Sequence, residues 1–246
     1  VNFTFGNGGA TRIAGLVTDE LLSNKNNPAE TELAQNSVSI DNSMNTEFWR
    51  DGYRIMYQIN ACIEGIAASE GISSSVSQQL SAEAKFTRAY VYFQLINFYG
   101  DVPLILTTDY KINAIEPRSS VSVVMGKIIE DLEEARAHLP VSYPQGAKVR
   151  ANKNAATALL ARIHLYNQGW DKAAELSSQL INSGTYQLLA DPADIFLAGS
   201  PEAIWHLPPL VQGFETAEGY NFVPTSSTAI PGYEVNPLLL NNFPVN

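Results

Sequence analysis

Residues 160–176 read LARIHLYNQGWDKAAEL, and the reading of this stretch decides the fold. On its N-terminal side Ala155, Ala158 and Ala161 recur at three-residue steps and form a small-residue helical face. Asn167, Gln168 and Gly169 break the period, because amides and glycine supply turn conformations. It resumes with Ala173, Leu176, Leu180 and Ile181 and stops at Gly184, the residue type that takes the left-handed position past a helix end. Asn152 stands where the first helix needs an N-cap. The stretch 151–186 thus predicts two antiparallel helices joined by a tight turn, with small side chains that let them approach closely.

The helical period continues outward from this pair. Ser119 or Ser120 caps a helix with Val124, Ile128, Leu132, Ala135 and Leu139 on one face, ended by Pro140 and Pro144. Before it, residues 73–98 predict a long helix whose second half is apolar or aromatic all round, as in a helix buried between neighbours. Gly100 and Pro103 stop that helix, and 104–117 reads as an extended crossing segment. Trp49, Tyr53, Met56, Ile59 or Asn60, Ile63 and Ile66 mark a further helix. Residues 11–22 predict an amphipathic helix with Ile13, Leu16, Val17 and Leu21 inward, followed by a long polar loop over 23–45. Beyond Tyr186 the period vanishes, eight prolines interrupt 187–246, and 203–207 predicts a short strand.

These elements predict an all-α chain, an irregular helical solenoid with long loops and short strands. The 160–176 pattern is similar to a tetratricopeptide unit, in which a glycine-aromatic turn plugs the gap between paired helices. A single domain over 1–246 is expected, divided into an N-terminal segment 1–45, a helical core 46–186 and a loop-rich segment 187–246.

Composition narrows the functional classes. The 246 residues carry a formal charge of -10, which disfavours nucleic acid and anionic membrane faces, since both demand basic patches. Charged residues are 16% of the chain, below the roughly 25% of ordinary domains, so Asn, Gln, Ser and Thr supply the polar surface. Cys62 alone permits neither a disulfide framework nor a cysteine zinc site, and its helical position predicts a buried thiol. The Val-Asn-Phe start shows no signal peptide, and a start without Met predicts removal of a targeting segment.

Catalytic signatures are sparse. His138, His164 and His206 fall in separate elements without ligand spacing, and no nucleophile elbow, phosphate loop or dinucleotide fingerprint occurs. Lys148, Arg150 and Lys153 form a small cluster expected to be solvated. Asn2-Phe3-Thr4 matches a glycosylation sequon of the kind expected by chance. Two carboxylates suffice for glycoside hydrolysis, and Asp19/Glu20, Asp131/Glu133/Glu134 and Glu215/Glu218 are available. Neighbouring acids on a helix point to different faces, so a non-catalytic protein without cofactor or metal is expected.

Several segments resemble the SusD/RagB family of outer-membrane nutrient-binding lipoproteins. Residues 82–104 (AEAKFTRAYVYFQLINFYGDVPL) are similar to its most recognisable signature, and 49–63 (WRDGYRIMYQINACI) to its Trp/Tyr/Asn helix. Thr18-Asp19-Glu20, 118–140 and the pair at 151–186 complete the likeness. The resemblance implies a surface-exposed, lipid-anchored glycan-binding protein that hands oligosaccharide to a TonB-dependent, SusC-like transporter. Family members are about twice as long, and Asn236-Pro-Leu-Leu-Leu-Asn-Asn-Phe243 resembles the start of their second half. The expectation is therefore a piece of a longer protein, cut at both ends, whose anchor cysteine is not in this chain. The alternative is a tetratricopeptide-like scaffold binding peptides in its helical groove.

A sugar offers apolar C–H faces and many hydroxyls, so its site needs an aromatic platform beside amide partners. Tyr220, Asn221 and Phe222, in the glycine-bounded loop 213–222, fit best. Asn45 and Trp49, at the end of the Asn-rich loop, form a second candidate. For Trp49, Tyr53 and Tyr57 the competing reading is core packing at helical spacing.

Overall fold

The computed structural model describes residues 8–197, 199–207, 217–224, 226 and 228–243. In order the elements are α1 (Gly9–Val17), β1 (Leu21–Ser23), α2 (Pro28–Ala34), α3 (Ser43–Ala68), α4 (Ser74–Tyr99), β2 (Val102–Pro103), α5 (Tyr110–Asn113), β3 (Arg118–Ser119), α6 (Val121–His138), α7 (Lys153–Tyr166), α8 (Trp170–Asn182), α9 (Ala217–Phe222), β4 (Tyr233–Val235) and α10 (Pro237–Leu240). The predicted all-α class holds. Two compact units emerge, Arg54–His206 and the paired ends Val1–Tyr53 with Leu207–Asn246, and their boundary falls within α3.

The Arg54–His206 unit is a run of packed helices, α4 on α6, α6 on α7 and α7 on α8. Phe86, Tyr92 and Leu95 of α4, Ile128 and Leu132 of α6, and Leu160 and Ile163 of α7 are buried in it. The local signals act as expected. Asn152 Oδ1 accepts the Ala155 N–H at 2.8 Å, and Gly184 takes φ 62° beyond α8. In the α7–α8 turn Gln168 adopts φ 60°. The Gly169 N–H donates to the His164 carbonyl at 2.7 Å, and a Cβ at Gly169 would meet the His164 ring nitrogen at 3.1 Å. His164 is thus part of the turn.

A polar network lies inside this unit. Arg88 grips Asp131 with two hydrogen bonds of 2.7 and 2.9 Å and donates to Asn60 Oδ1 at 3.1 Å. Lys127 adds a contact of 3.0 Å to Asp131. Asn60 and the Tyr92 hydroxyl both donate to the Ile105 carbonyl, at 3.0 and 2.9 Å, so the network pins the crossing segment. That segment is not wholly extended: α5 interrupts it, capped by Asp109. Glu64 clasps it from α3, and bonds from the Thr108 hydroxyl and N–H and the Thr107 hydroxyl hold its carboxyl below the ordinary value.

The second unit joins the two ends of the chain. β1 pairs antiparallel with β4, with Leu21 opposite Val235 and Ser23 opposite Tyr233. The expected helix over 11–22 therefore stops at Val17, and Leu21 is a strand residue. Its partner lies beyond the reach of any local period. Gly15 permits the close return, since a Cβ there would fall 2.5 Å from Leu21 Cδ1. The expected loop over 23–45 contains α2, started by Asn27 Oδ1 on the Ala29 N–H at 3.0 Å with Pro28 at the first helical position. Ile13, Leu16, Leu33, Phe48 and Tyr233 are buried here.

Other expectations are corrected. On α3 the buried side chains are Met44, Phe48, Asp51, Met56, Ile59 and Asn60, whereas Tyr57 is 53% exposed. Met56, Ile59 and Asn60 of the expected stripe are buried, while Trp49, Tyr53, Ile63 and Ile66 are only half-buried and Phe48 and Asp51 are buried beside the stripe. Cys62 lies on the outer side of α3 and is exposed. Of the basic cluster Lys153 is exposed as expected, whereas Arg150 holds Glu83 through bonds of 2.8 and 2.7 Å and Lys148 donates to the Ser200 carbonyl at 2.8 Å. Residues 203–207 form no ladder; they are fixed instead by the His206 N–H on the Lys148 carbonyl at 3.1 Å. The sequon at Asn2 and residues 213–216 lie outside the described residues.

Candidate ligand-binding site

The five residues proposed from sequence all belong to the unit built from the chain ends, and they stand at two places within it. Asn45 and Trp49 sit in the first turns of α3, one turn apart. The buried Asn42 positions this start: its Oδ1 accepts the Asn45 N–H at 3.0 Å, while its amide donates to Glu32 at 2.9 Å and to the Ala29 carbonyl at 3.0 Å. Hydrogen bonds from Asn42 and Ser39 hold the Glu32 carboxyl below its ordinary value. Trp49 is half-buried, with its ring 4.9 Å from that of Tyr53 at 46°. It is neither a full core residue nor a bare platform.

Tyr220, Asn221 and Phe222 were expected in a loop, and the backbone instead winds them into α9. The Tyr220 side chain lies outside the described residues. α9 is tied down at both ends. Thr11 donates to Glu218 at 2.6 Å, and the Phe222 ring lies 5.6 Å from that of Tyr233 at 56°. A Cβ at Gly8 would reach 3.1 Å from the Asn221 amide nitrogen, so the half-buried Asn221 side chain lies close against that glycine.

Tyr233 is the hub. Its hydroxyl donates to Glu30 at 2.6 Å, and Lys25 Nζ lies 4.3 Å above its ring and donates to its oxygen at 3.1 Å. Burial, then the bond to Glu30, pushes the phenol pKa upward. Glu30, 2% exposed, also accepts from Ser23. Such a carboxylate is committed to internal bonds and is not available as an acid or base.

Of the carboxylates considered for hydrolysis in the other unit, Asp131 is buried against Arg88, while Glu133 and Glu134 form partly exposed ion pairs with Arg136, at 3.0 Å, and with Lys85. Among the described residues no three His, Cys, Asp or Glu side chains are grouped to hold a metal ion. No helix among them is long and apolar enough to cross a membrane.

Sequence reasoning missed a concave feature within the Arg54–His206 unit. A cleft of about 200 Å³ is lined by Phe86, Tyr90, Leu159, Arg162, Ile204 and Trp205, together with Ala155 and Ala158. Trp205 stands 5.1 Å from Phe86 at 81° and 5.4 Å from Tyr90 at 70°. Phe86 and Tyr90, four residues apart on α4, were the available signal, hidden in a helix apolar all round.

Comparison with known proteins agrees with this fold. A family described as starch-binding and associating with the outer membrane (SusD-like) matches residues 11–165, more than half of the chain. A SusD-like protein of Formosa agariphila is 29% identical over 175 residues, covering 69% of this chain and 33% of its own length. A crystal structure of a SusD-like protein from Bacteroides fragilis superposes with TM-score 0.73 at 26% identity, over 82% of this chain and 42% of that one. A SusD-like carbohydrate binding protein from Bacteroides vulgatus gives TM-score 0.69 at 25% identity, over 80% and 44%. The matched part is thus about a third of the Formosa relative and less than half of either solved chain. With the family model matching more than half of its length, this chain belongs to the SusD-like family.

Proposed function

We propose that this chain is the helical part of a non-catalytic glycan-binding protein of the outer-membrane surface, which captures oligosaccharide for a TonB-dependent, SusC-like transporter. The observation that carries the reading is the family match over residues 11–165, joined by likeness to a solved carbohydrate binding protein. The engagement of Glu30 and Asp131 in internal bonds supports binding over hydrolysis. Helices supply the scaffold, and a lipid anchor holds the protein at the outer membrane with which its family is described as associating. The contacts proposed for the glycan are Tyr220, Asn221, Phe222, Asn45 and Trp49, all of one unit, a set that combines the aromatic and amide side chains a sugar requires.

A glycan array followed by calorimetry tests the reading. Binding of at least one oligosaccharide, weakened about tenfold or more in Trp49→Ala or Tyr220→Ala, supports function and site together. Binding to no glycan, with tight binding of peptides, would overturn it in favour of a helical peptide scaffold. Co-purification with a TonB-dependent transporter tests the partner independently.

A further inference from the structure

The cleft within the Arg54–His206 unit has features that the proposed glycan contacts do not use. Its aromatic walls meet at steep angles and form a corner, with no closed stack of rings. The corner is fixed in advance: Trp205 Nε1 donates to the Val149 carbonyl at 3.1 Å, and the Tyr143 hydroxyl bonds the Ile204 carbonyl. A wall held by the protein itself loses little freedom when a ligand arrives. At about 200 Å³ the space is below the roughly 300 Å³ at which sites for drug-sized ligands begin, so it suits a single ring.

The cation at the cleft is the deciding feature. Arg88, Arg136 and Arg150 of the same unit each hold a carboxylate. Arg162 is exposed, lines the cleft, and among the described residues donates to no protein acceptor. An uncommitted guanidinium on a residue that shares the cleft lining with aromatic side chains offers a fork for an incoming carboxylate and an apolar face for the ring that bears it. We propose that this cleft is a saccharide site for an acidic sugar, a uronate residue seated against Trp205 and Tyr90 with its carboxylate on Arg162. The inference rests on the glycan-binding reading and gives it a substrate class and a second site.

Titration of the 246-residue chain with a galacturonate tetrasaccharide and its neutral galactose counterpart, read by calorimetry and amide NMR, tests it. The uronate is expected to shift the Trp205 indole signal. Arg162→Gln, an exposed substitution, is expected to weaken uronate binding about tenfold while leaving the neutral sugar unaffected, and Arg162→Lys to restore part of the loss. Added salt weakens only the uronate. Equal uronate affinity in Arg162→Gln, or uronate shifts confined to other residues, would overturn the assignment. Binding of the neutral sugar alone would remove the acidic site and leave the glycan reading intact. If neither sugar nor any glycan on an array binds, both fall. A proline-rich peptide that displaces the uronate signals from Trp205 would make the cleft a peptide site instead.

Discussion

The two compact units solve the same burial problem by different means. Arg54–His206 is one uninterrupted stretch, and its helices pack face to face through side chains spaced at the helical period. The other unit brings together Val1–Tyr53 and Leu207–Asn246 through a three-residue strand pair and a polar staple of Glu30, Ser23, Lys25 and Tyr233. Apolar faces built around one buried ion-pair network carry the first, whereas a short strand pair and a polar staple close the second. Burial by faces tolerates small shifts. A staple either closes or leaves a buried carboxylate short of donors.

Substitutions on each side probe that contrast. The largest effect is expected at Asp131→Ala, which leaves Arg88 buried without its carboxylate and costs about 3–5 kcal/mol in urea unfolding. A loss below about 1 kcal/mol would show that apolar packing alone carries this unit. Tyr233→Phe removes one donor from Glu30 and is expected to cost about 1–3 kcal/mol. Hydrogen exchange should locate that loss at the amides of β1 and β4, with α6 to α8 still protected. Equal loss of protection in both units would abolish the distinction.

Asn152→Ala removes the cap of α7 and its bond to the Val141 carbonyl, for about 1 kcal/mol. The smallest effect is expected at Cys62→Ser, within about 0.5 kcal/mol, because the thiol is exposed on α3. A thiol reagent should label Cys62 in the folded protein as fast as in denaturant-treated chain; strong protection would contradict the exposed placement.

The same contrast explains what could be read from sequence. α6, α7 and α8 announce themselves because each fold-determining contact recurs at a local period, and Asn152 and Gly184 punctuate it. α2 was missed although Asn27-Pro28 is a start signal, because its seven residues carry too few apolar positions. The β1–β4 pairing leaves no local trace. On α3 the expected stripe holds at Met56, Ile59 and Asn60, whereas Asp51 is fully buried off that stripe and, as a charged side chain, leaves no hydrophobic trace of its burial. Among the candidate contacts, Phe222 and Asn221 were picked for aromatic and amide chemistry, and that chemistry cannot disclose a six-residue helix. Arg162 carries no signal of its own in the sequence. Its importance depends on Trp205, which is brought to it by tertiary bonds.

The pairing of Leu21 with Val235 also sets a timetable. A chain made from its N-terminus at about 5–20 residues per second delivers β4 roughly 10–40 s after β1. During that interval α4 to α8 can assemble from residues already present, while Leu21–Ser23 waits with its ladder groups unmatched. An unmatched strand is a template for the wrong partner. The slowest and most error-prone step of maturation is therefore expected to be closure of the chain ends, well after the helices have formed.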